Sequence, residues 1–268
     1  MHPLTSVCRS SPTRHELVTS LVGCGAILSS LLGSAAVVNA QNPEPVNELI
    51  PLPEVCHDGE MSVEQAVTER RSVRDFADEP LSLSDLSQLL WAAQGLTEKI
   101  ETPPAVWTGG EWMGGLRTAP SAGALYPLEL YVVAGEVSGL EPGLYRYVPV
   151  EHALERTGDG DLRGALGDAS LRQRAIYEAP AVLLITAVYE RTSVKYGERA
   201  ERYVHIEVGA AAENALLQVE ALGLGALFIG AFNDAEVKEA LSLPDDHEPL
   251  GIVPVGGKAD DWRERRFR

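Results

Sequence analysis

Cysteine is nearly missing from this chain, with only Cys8, Cys24 and Cys56 in 268 residues. So few thiols leave no room for a disulfide framework or a cysteine-rich zinc module. Beyond residue 40 the histidines are His57, His152, His205 and His247, and none is spaced with a carboxylate or cysteine as in a metal site, so no metal is expected. Positive charge is also short: 22 lysines and arginines face 39 acids, for a net charge of −17. Such a surface repels nucleic acid and anionic lipid, so neither is an expected partner. Two nucleotide and hydrolase signatures are absent. Gly223 and Gly225 leave a helix instead of opening one, so they do not form a dinucleotide-binding loop. Ala119 stands where a nucleophile elbow around Ser121 would need its first glycine. No internal repeat is visible.

One long apolar run is present, from Leu17 to Val38. Arg9 and Arg14 precede it, Val38-Asn39-Ala40 places small residues where a signal peptidase reads, and Gln41-Asn42-Pro43 opens a polar stretch. Residues 1–40 are therefore expected to be a signal peptide that exports the protein. Retention as an N-terminal membrane anchor is the alternative, and membrane association is expected only in that case. Leu21-Val-Gly-Cys24 is similar to a lipoprotein box, but apolar sequence continues past it. Residues 41–60 read as a linker and 61–268 as one domain. Loss of Arg9, Arg14 and Glu16 would turn 22 basic and 39 acidic residues into 20 and 38, a net charge of −18. Only Cys56 would then remain, so no internal disulfide is possible. The 268 residues less these 40 leave 228, enough for one α/β domain with a sizeable core.

Periodicity supplies the elements. Ser62-Val-Glu-Gln65 is a capping box, with Val63, Ala66, Val67 and Arg70 on one face of a helix that ends near Arg71. After Pro80, Leu83, Leu86, Leu89, Leu90 and Ala93 form the stripe of a second helix closed by Gly95. Pro103-Pro104 and two Gly-Gly pairs make 97–116 a loop. Strands are expected at 128–134, 143–150, 181–189, 226–229 and 250–255, and helices at 161–169, 203–222 and from Asn233 through Leu241. The 203–222 helix is apolar on most sides, which suits a core or a dimer interface. This mixed order predicts an α+β fold.

Four segments could carry chemistry. Arg70, Arg71 and Arg74 set three cations within five positions, with Ser72 between them. Guanidinium forks and a hydroxyl suit a phosphate; a solvated basic helix end is the plainer reading. Pro120-Ser121-Ala122-Gly123 offers a hydroxyl and exposed amides, or simply a turn before a strand. Gly230-Ala231 lets a ligand approach backbone amides, or merely reverses the chain. Lys195 and Tyr196 can give or take a proton if burial tunes them, and are otherwise surface residues.

In order along the chain, Arg70-Arg-Ser-Val-Arg-Asp-Phe76, Arg117-Thr-Ala-Pro-Ser-Ala-Gly-Ala-Leu-Tyr-Pro-Leu-Glu-Leu-Tyr131, Lys195-Tyr-Gly197, Arg202-Tyr-Val-His-Ile-Glu-Val-Gly209 and Leu222 to Asp234 resemble the nitroreductase superfamily. Within it they resemble the SagB-type dehydrogenases related to thiazoline/oxazoline oxidases. The likeness runs from Ser62 to Lys258. It implies a nitroreductase-like α/β sandwich with a central, mostly antiparallel sheet flanked by helices. It further implies an intertwined homodimer with FMN at each end of the interface. By the same resemblance Arg70, Arg71, Ser72 and Arg74 hold the phosphate and ribityl chain, joined by Arg265 or Arg266. Pro120, Ser121 and Ala122 lie against the ring from the other subunit, and Gly230 and Ala231 present amides to the ring edge. Lys195 and Tyr196 match a pair assigned to proton transfer. The implied activity is that of an FMN-dependent oxidoreductase moving a hydride between flavin and a small-molecule or peptide substrate.

Two departures qualify this. Ala124 and Tyr126 replace the amide side chain that nitroreductases usually carry after the Pro-Ser turn, which fits the SagB-type branch. Gly209-Ala210 and Glu213-Asn214 stand where relatives often show Gly-His and Gln-Asn, so helix packing and substrate are expected to differ. Export would remove the enzyme from NAD(P)H and favour oxygen or a quinone as acceptor. An NAD(P)H-dependent nitro- or quinone reductase and a non-catalytic flavin-binding protein remain the alternatives.

Overall fold

The computed structural model describes residues 49–102 and 113–265. The apolar leader therefore lies outside the described residues, as do Pro103-Pro104 and Gly109-Gly110. In chain order the elements are β1 (Leu49–Pro51), α1 (Val63–Glu69), β2 (Leu81–Ser82), α2 (Leu83–Gln94), β3 (Leu96–Lys99), β4 (Gly115–Arg117), β5 (Leu128–Ala134), β6 (Val137–Ser138), β7 (Gly143–Val148) and β8 (Ala153–Asp159). They continue with α3 (Arg163–Ala169), α4 (Arg174–Glu178), β9 (Ala181–Ala187), α5 (Glu190–Tyr196), α6 (Ala200–Ala221), β10 (Leu224–Ala226), α7 (Asp234–Leu241), β11 (Glu248–Gly257) and α8 (Trp262–Arg265).

Seven strands form one sheet in the order β1-β8-β7-β5-β9-β11-β10, and every neighbouring pair is antiparallel. β5 and β9 sit at its centre, paired from Leu128↔Ala187 to Ala134↔Ala181. Successive side chains of a strand point to opposite faces. Leu128, Leu130 and Val132 join Leu183 and Ile185 under the apolar side of α2 and α6. Tyr131 and Val133 join Val182 and Leu184 under α3, α4 and α7. Both faces are covered, so these strands read as continuous apolar runs even though the sheet is antiparallel.

The caps form as the sequence predicts. Ser62 and Asn233 accept from the backbone amides of Gln65 and Glu236. α6 is 22 residues long, about 33 Å at the helical rise. It starts at Ala200, ahead of the expected Tyr203, and buries Val204, Val208, Ala211 and Ala215 on the sheet side. Its other side is not buried: Ile206 is 62 % exposed.

Several boundaries differ from expectation. β1 pairs with β8 inside the segment read as a linker. β3 and β4 pair inside the segment read as a loop; a side chain at Gly115 would overlap the Glu98 carbonyl, so the glycine that signalled a loop is what lets the two chains approach. β8 carries Glu155 and Arg156, and its charges hid it. Arg146 and Glu155 pair across β7 and β8 at 2.6 Å. In place of a 226–229 strand, β10 ends at Ala226 and Ile229 makes only an isolated bridge to Ile252.

Candidate active site

The arginine segment lies on plain backbone. α1 ends where Arg70 leaves helical geometry, its amide still bonded to Ala66 O. The chain then runs extended beside β10, with Ser72 bridged to Ala226 and Val73 N donating to Ala226 O at 2.8 Å. Val73 and Asp75 turn inward while Ser72 and Arg74 turn outward to solvent. Gly225 makes the close approach possible, since a Cβ there would stand 2.7 Å from Val73 Cγ1. Asp75 pairs with Arg174 and fixes the far end. Arg71 donates to Thr68 O at 2.9 Å, and Arg70 lies 3.8 Å from Glu213 on α6. Arg74 makes no ion pair among the described residues. Past β10, Gly230 and Ala231 are exposed, and neither amide donates a hydrogen bond among the described residues. The Ala231 carbonyl accepts from Gln173 at 2.8 Å, which holds that stretch in place.

The Pro120–Tyr126 turn is built differently. Gly123, Ala124 and Tyr126 all have positive φ, at 65°, 55° and 45°. For the two non-glycine residues this geometry costs roughly 1–2 kcal/mol each, so the surroundings must enforce it. Tyr126 N donates to Ser121 Oγ at 2.9 Å, and Ala124 N donates to Ser121 O at 3.0 Å. Tyr126 OH accepts from Arg117 N at 3.2 Å, and the Arg117 guanidinium sits 4.8 Å from the Tyr126 ring centre. Arg117 is buried and bonds Gln94; burial pushes its pKa down. From α6, Glu207 accepts the Ala122 amide at 2.8 Å, and the nearby Ser121 hydroxyl favours its charged form. The Ser121 oxygen thus serves as an acceptor inside the turn.

Lys195 and Tyr196 close on this turn. A Cβ at Gly123 would stand 3.0 Å from Lys195 Nζ and 3.0 Å from Tyr196 OH, so only a glycine leaves both polar ends undisturbed. Arg191, on the same helix α5, pairs with Glu129 of β5 at 2.6 Å and donates to Tyr126 O at 3.3 Å. The Tyr196 ring meets Tyr203 of α6 edge to face at 4.9 Å.

The structure therefore forms two groups: the Arg70–Arg74 segment, whose Ser72 and Val73 lie against Ala226 a few positions ahead of Gly230 and Ala231, and the Pro120–Tyr126 turn, whose Gly123 lies against Lys195 and Tyr196. No described hydrogen bond or ion pair joins the two groups within one chain, though α6 touches both through Glu213 and Glu207. A hollow of about 640 Å³ runs along β1 and β8, and one of about 470 Å³ lies between β3, β4 and β7, where Arg117 and Glu129 line it and connect it to the surroundings of the turn. Arg265 ends α8, but its side chain lies outside the described residues, as does Arg266. Sequence reasoning missed Glu207, Arg191 and Tyr203 as members of the site. A signal existed for Glu207: with Val204, Val208 and Ala211 it falls on the helical stripe that faces the core.

Comparison with known proteins decides the family. The model of the nitroreductase family matches residues 67–257. The chain belongs to the nitroreductase family. The family match makes the chain a nitroreductase-family oxidoreductase, and members of this family typically bind FMN. A protein of Methanocaldococcus jannaschii named as a nitroreductase is 42 % identical over 201 residues, covering 75 % of this chain and 93 % of that one. The trifolitoxin-processing protein TfxB of Rhizobium leguminosarum bv. trifolii is 30 % identical over 158 residues, or 54 % of this chain and 38 % of that relative. This is distant homology to a SagB-type processing protein. The crystal structure of a nitroreductase from Ralstonia eutropha JMP134 superposes with a TM-score of 0.64 at 33 % identity, covering 80 % of this chain and 92 % of that one. The expected α+β architecture, a central antiparallel sheet flanked by helices, is the one found.

Proposed function

We propose that this nitroreductase-family chain is an FMN-dependent oxidoreductase of the SagB type that acts as a homodimer on a small organic or peptide substrate. The observation that carries this reading is the convergence of Lys195 Nζ and Tyr196 OH on Gly123 of the turn. Two groups able to hold a proton stand together where the resemblance puts the ring.

The residues present fit the cofactor. Outward guanidinium groups on extended backbone, with Ser72 among them, match a phosphate. The Gly230 and Ala231 amides donate to no partner among the described residues. Bound FMN would supply the acceptor or donor of a hydride. Arg70, Arg71, Ser72 and Arg74 would hold the phosphate and ribityl chain, with Arg265 or Arg266 completing that end. Gly230 and Ala231 would direct N–H groups at the ring edge, where preorganised donors favour developing negative charge. Pro120, the Ser121 backbone and Ala122 would cover the ring from a second copy and keep water out. Lys195 and Tyr196 would take or return the proton of the substrate carbon that exchanges hydride.

Pairing of two chains is supported by apolar side chains left open on packed helices: Val63 and Val67 of α1 are 70 % and 58 % exposed, and Ile206 of α6 is 62 % exposed. The processing role in the name TfxB supports a peptide substrate. The name of the Methanocaldococcus relative favours a second reading, an NAD(P)H-dependent nitro- or quinone reductase.

An absorbance scan of purified protein tests the cofactor: flavin bands are expected, and a colourless protein that takes up no added FMN would overturn both readings. Turnover of a nitroaromatic with NADPH then separates them, rapid reduction favouring the second. Export through residues 1–40 belongs to the same proposal. A reporter fused to residues 1–45 should leave the cytoplasm, and one that stays inside would end that part of it.

A further inference from the structure

Glu207 has no role in the chemistry above, yet it occupies a costly position. It is 4 % exposed, in an α6 stripe whose other members are Val204, Val208 and Ala211. Burial pushes its pKa up, and the groups that favour its charge are the Ala122 amide and the Ser121 hydroxyl, both from the turn. A buried carboxylate is tolerated only where donors satisfy it. Here the donors come from the segment with the most unusual backbone in the neighbourhood. Tyr126 at the other end is held by Arg117 and by Arg191. At the Ser121–Ala122 end, the group that reaches in from another element is Glu207.

We infer that Glu207 is a positioning residue: from the core face of α6 it clamps the Ser121–Ala122 end of the turn, so that the turn keeps one shape for the cofactor ring and one seat for Lys195 and Tyr196. The clamp itself follows from hydrogen bonds within a single chain. Only its consequence for the ring rests on the flavin reading.

The clamp predicts a local signature. In the wild-type protein the Ala122 amide should be protected from hydrogen exchange although the turn lies partly at the surface. Glu207→Leu fills the space and removes the acceptor. Exchange over residues 121–126 should then quicken about tenfold or more while β5 and β9 peptides stay as in wild type. FMN affinity should fall about 10- to 100-fold, as expected for loss of one charge-assisted hydrogen bond. Glu207→Gln keeps an acceptor oxygen for Ala122 N, and should hold exchange and FMN affinity within about threefold of wild type.

Glu207→Leu with wild-type exchange over 121–126 would overturn the inference. So would faster exchange spread evenly over the whole sheet, which marks an ordinary core residue. If the leucine variant does not fold, the wild-type measurement still decides: an unprotected Ala122 amide ends the proposal. If wild-type protein binds no FMN, the flavin reading fails, while the exchange comparison continues to test the clamp.

Discussion

The Arg70–Arg74 segment and the Pro120–Tyr126 turn both touch α6, yet they are built by different means. The first has ordinary extended backbone, strand-like alternation and outward charges, Arg74 among them without an ion pair among the described residues. The second has three positive φ values and spends its polar groups on itself and on Glu207. One region offers side chains and the other offers a shape. A substitution in the first should remove a contact and leave the geometry, whereas a substitution in the second should disturb geometry that several residues share.

The largest expected effect breaks the first region. Arg70→Ala with Arg74→Ala should strip FMN: at roughly 1.5–3 kcal/mol for each charge-assisted contact, affinity falls by about 10²- to 10⁴-fold. The flavin-to-protein ratio after gel filtration reads this directly. The thermal stability of the FMN-free protein should hardly move, because neither side chain is in the core, whereas the stabilisation by added FMN should be lost. Undiminished flavin content would remove the phosphate role from the arginines. Next comes Lys195→Ala, which should keep the yellow colour and lower turnover about 10²- to 10⁴-fold, the usual range for a positioned proton-transfer group. Full activity of that variant on the true substrate would assign the proton to another group.

This contrast also explains what the sequence could disclose. Charge density is written in residue identity, so Arg70, Arg71 and Arg74 stand out in an acidic chain. The core strands were equally plain, since Ala181–Ala187 is apolar on both faces and cannot be anything exposed. The turn was visible only as a motif. Its anchors, Glu207 and Arg191, lie many positions away, and their meaning arises when α5 and α6 pack beside β5. β8 escaped because its polar side chains broke the apolar pattern near the sheet edge. The β3–β4 pair escaped because Gly114-Gly115 reads as a breaker, although it acts as the point of closest approach.

A milder variant sharpens the second region. Gly123→Ala adds a Cβ at positive φ, costing roughly 1–2 kcal/mol, and sets it 3.0 Å from Lys195 Nζ and Tyr196 OH. Those are the ends of movable side chains, so the fold should survive with a melting temperature lower by roughly 2–8 °C. Turnover should fall more than flavin affinity, since the displaced groups are the proton-handling pair and not the phosphate ligands. Equal losses in both would mean that the turn acts as a single rigid unit.

The smallest effect concerns two histidines bonded to tyrosines of opposite faces of the sheet. His152 bonds Tyr147 OH at 2.9 Å and Ser87 Oγ at 2.8 Å, and burial pushes its pKa below the ordinary 6.5. His247, bonded to Tyr131 OH at 2.8 Å, is pushed the same way by burial. A depressed histidine pKa means that the folded state binds fewer protons than the unfolded chain. The stability these groups contribute is therefore complete above pH 6.5 and is lost as pH falls through their folded values. Glu207 has the opposite sign. Its raised pKa means that the folded state holds its proton more firmly, so its contribution is complete below the ordinary 4.5 and is lost as pH rises through the folded value. In wild-type protein the melting temperature should drop on acidification below pH 6.5 as the two histidines charge. His152→Gln with His247→Gln should flatten that drop, and Glu207→Gln should leave it in place. A drop unchanged in the histidine pair variant would take the acid sensitivity away from both histidines.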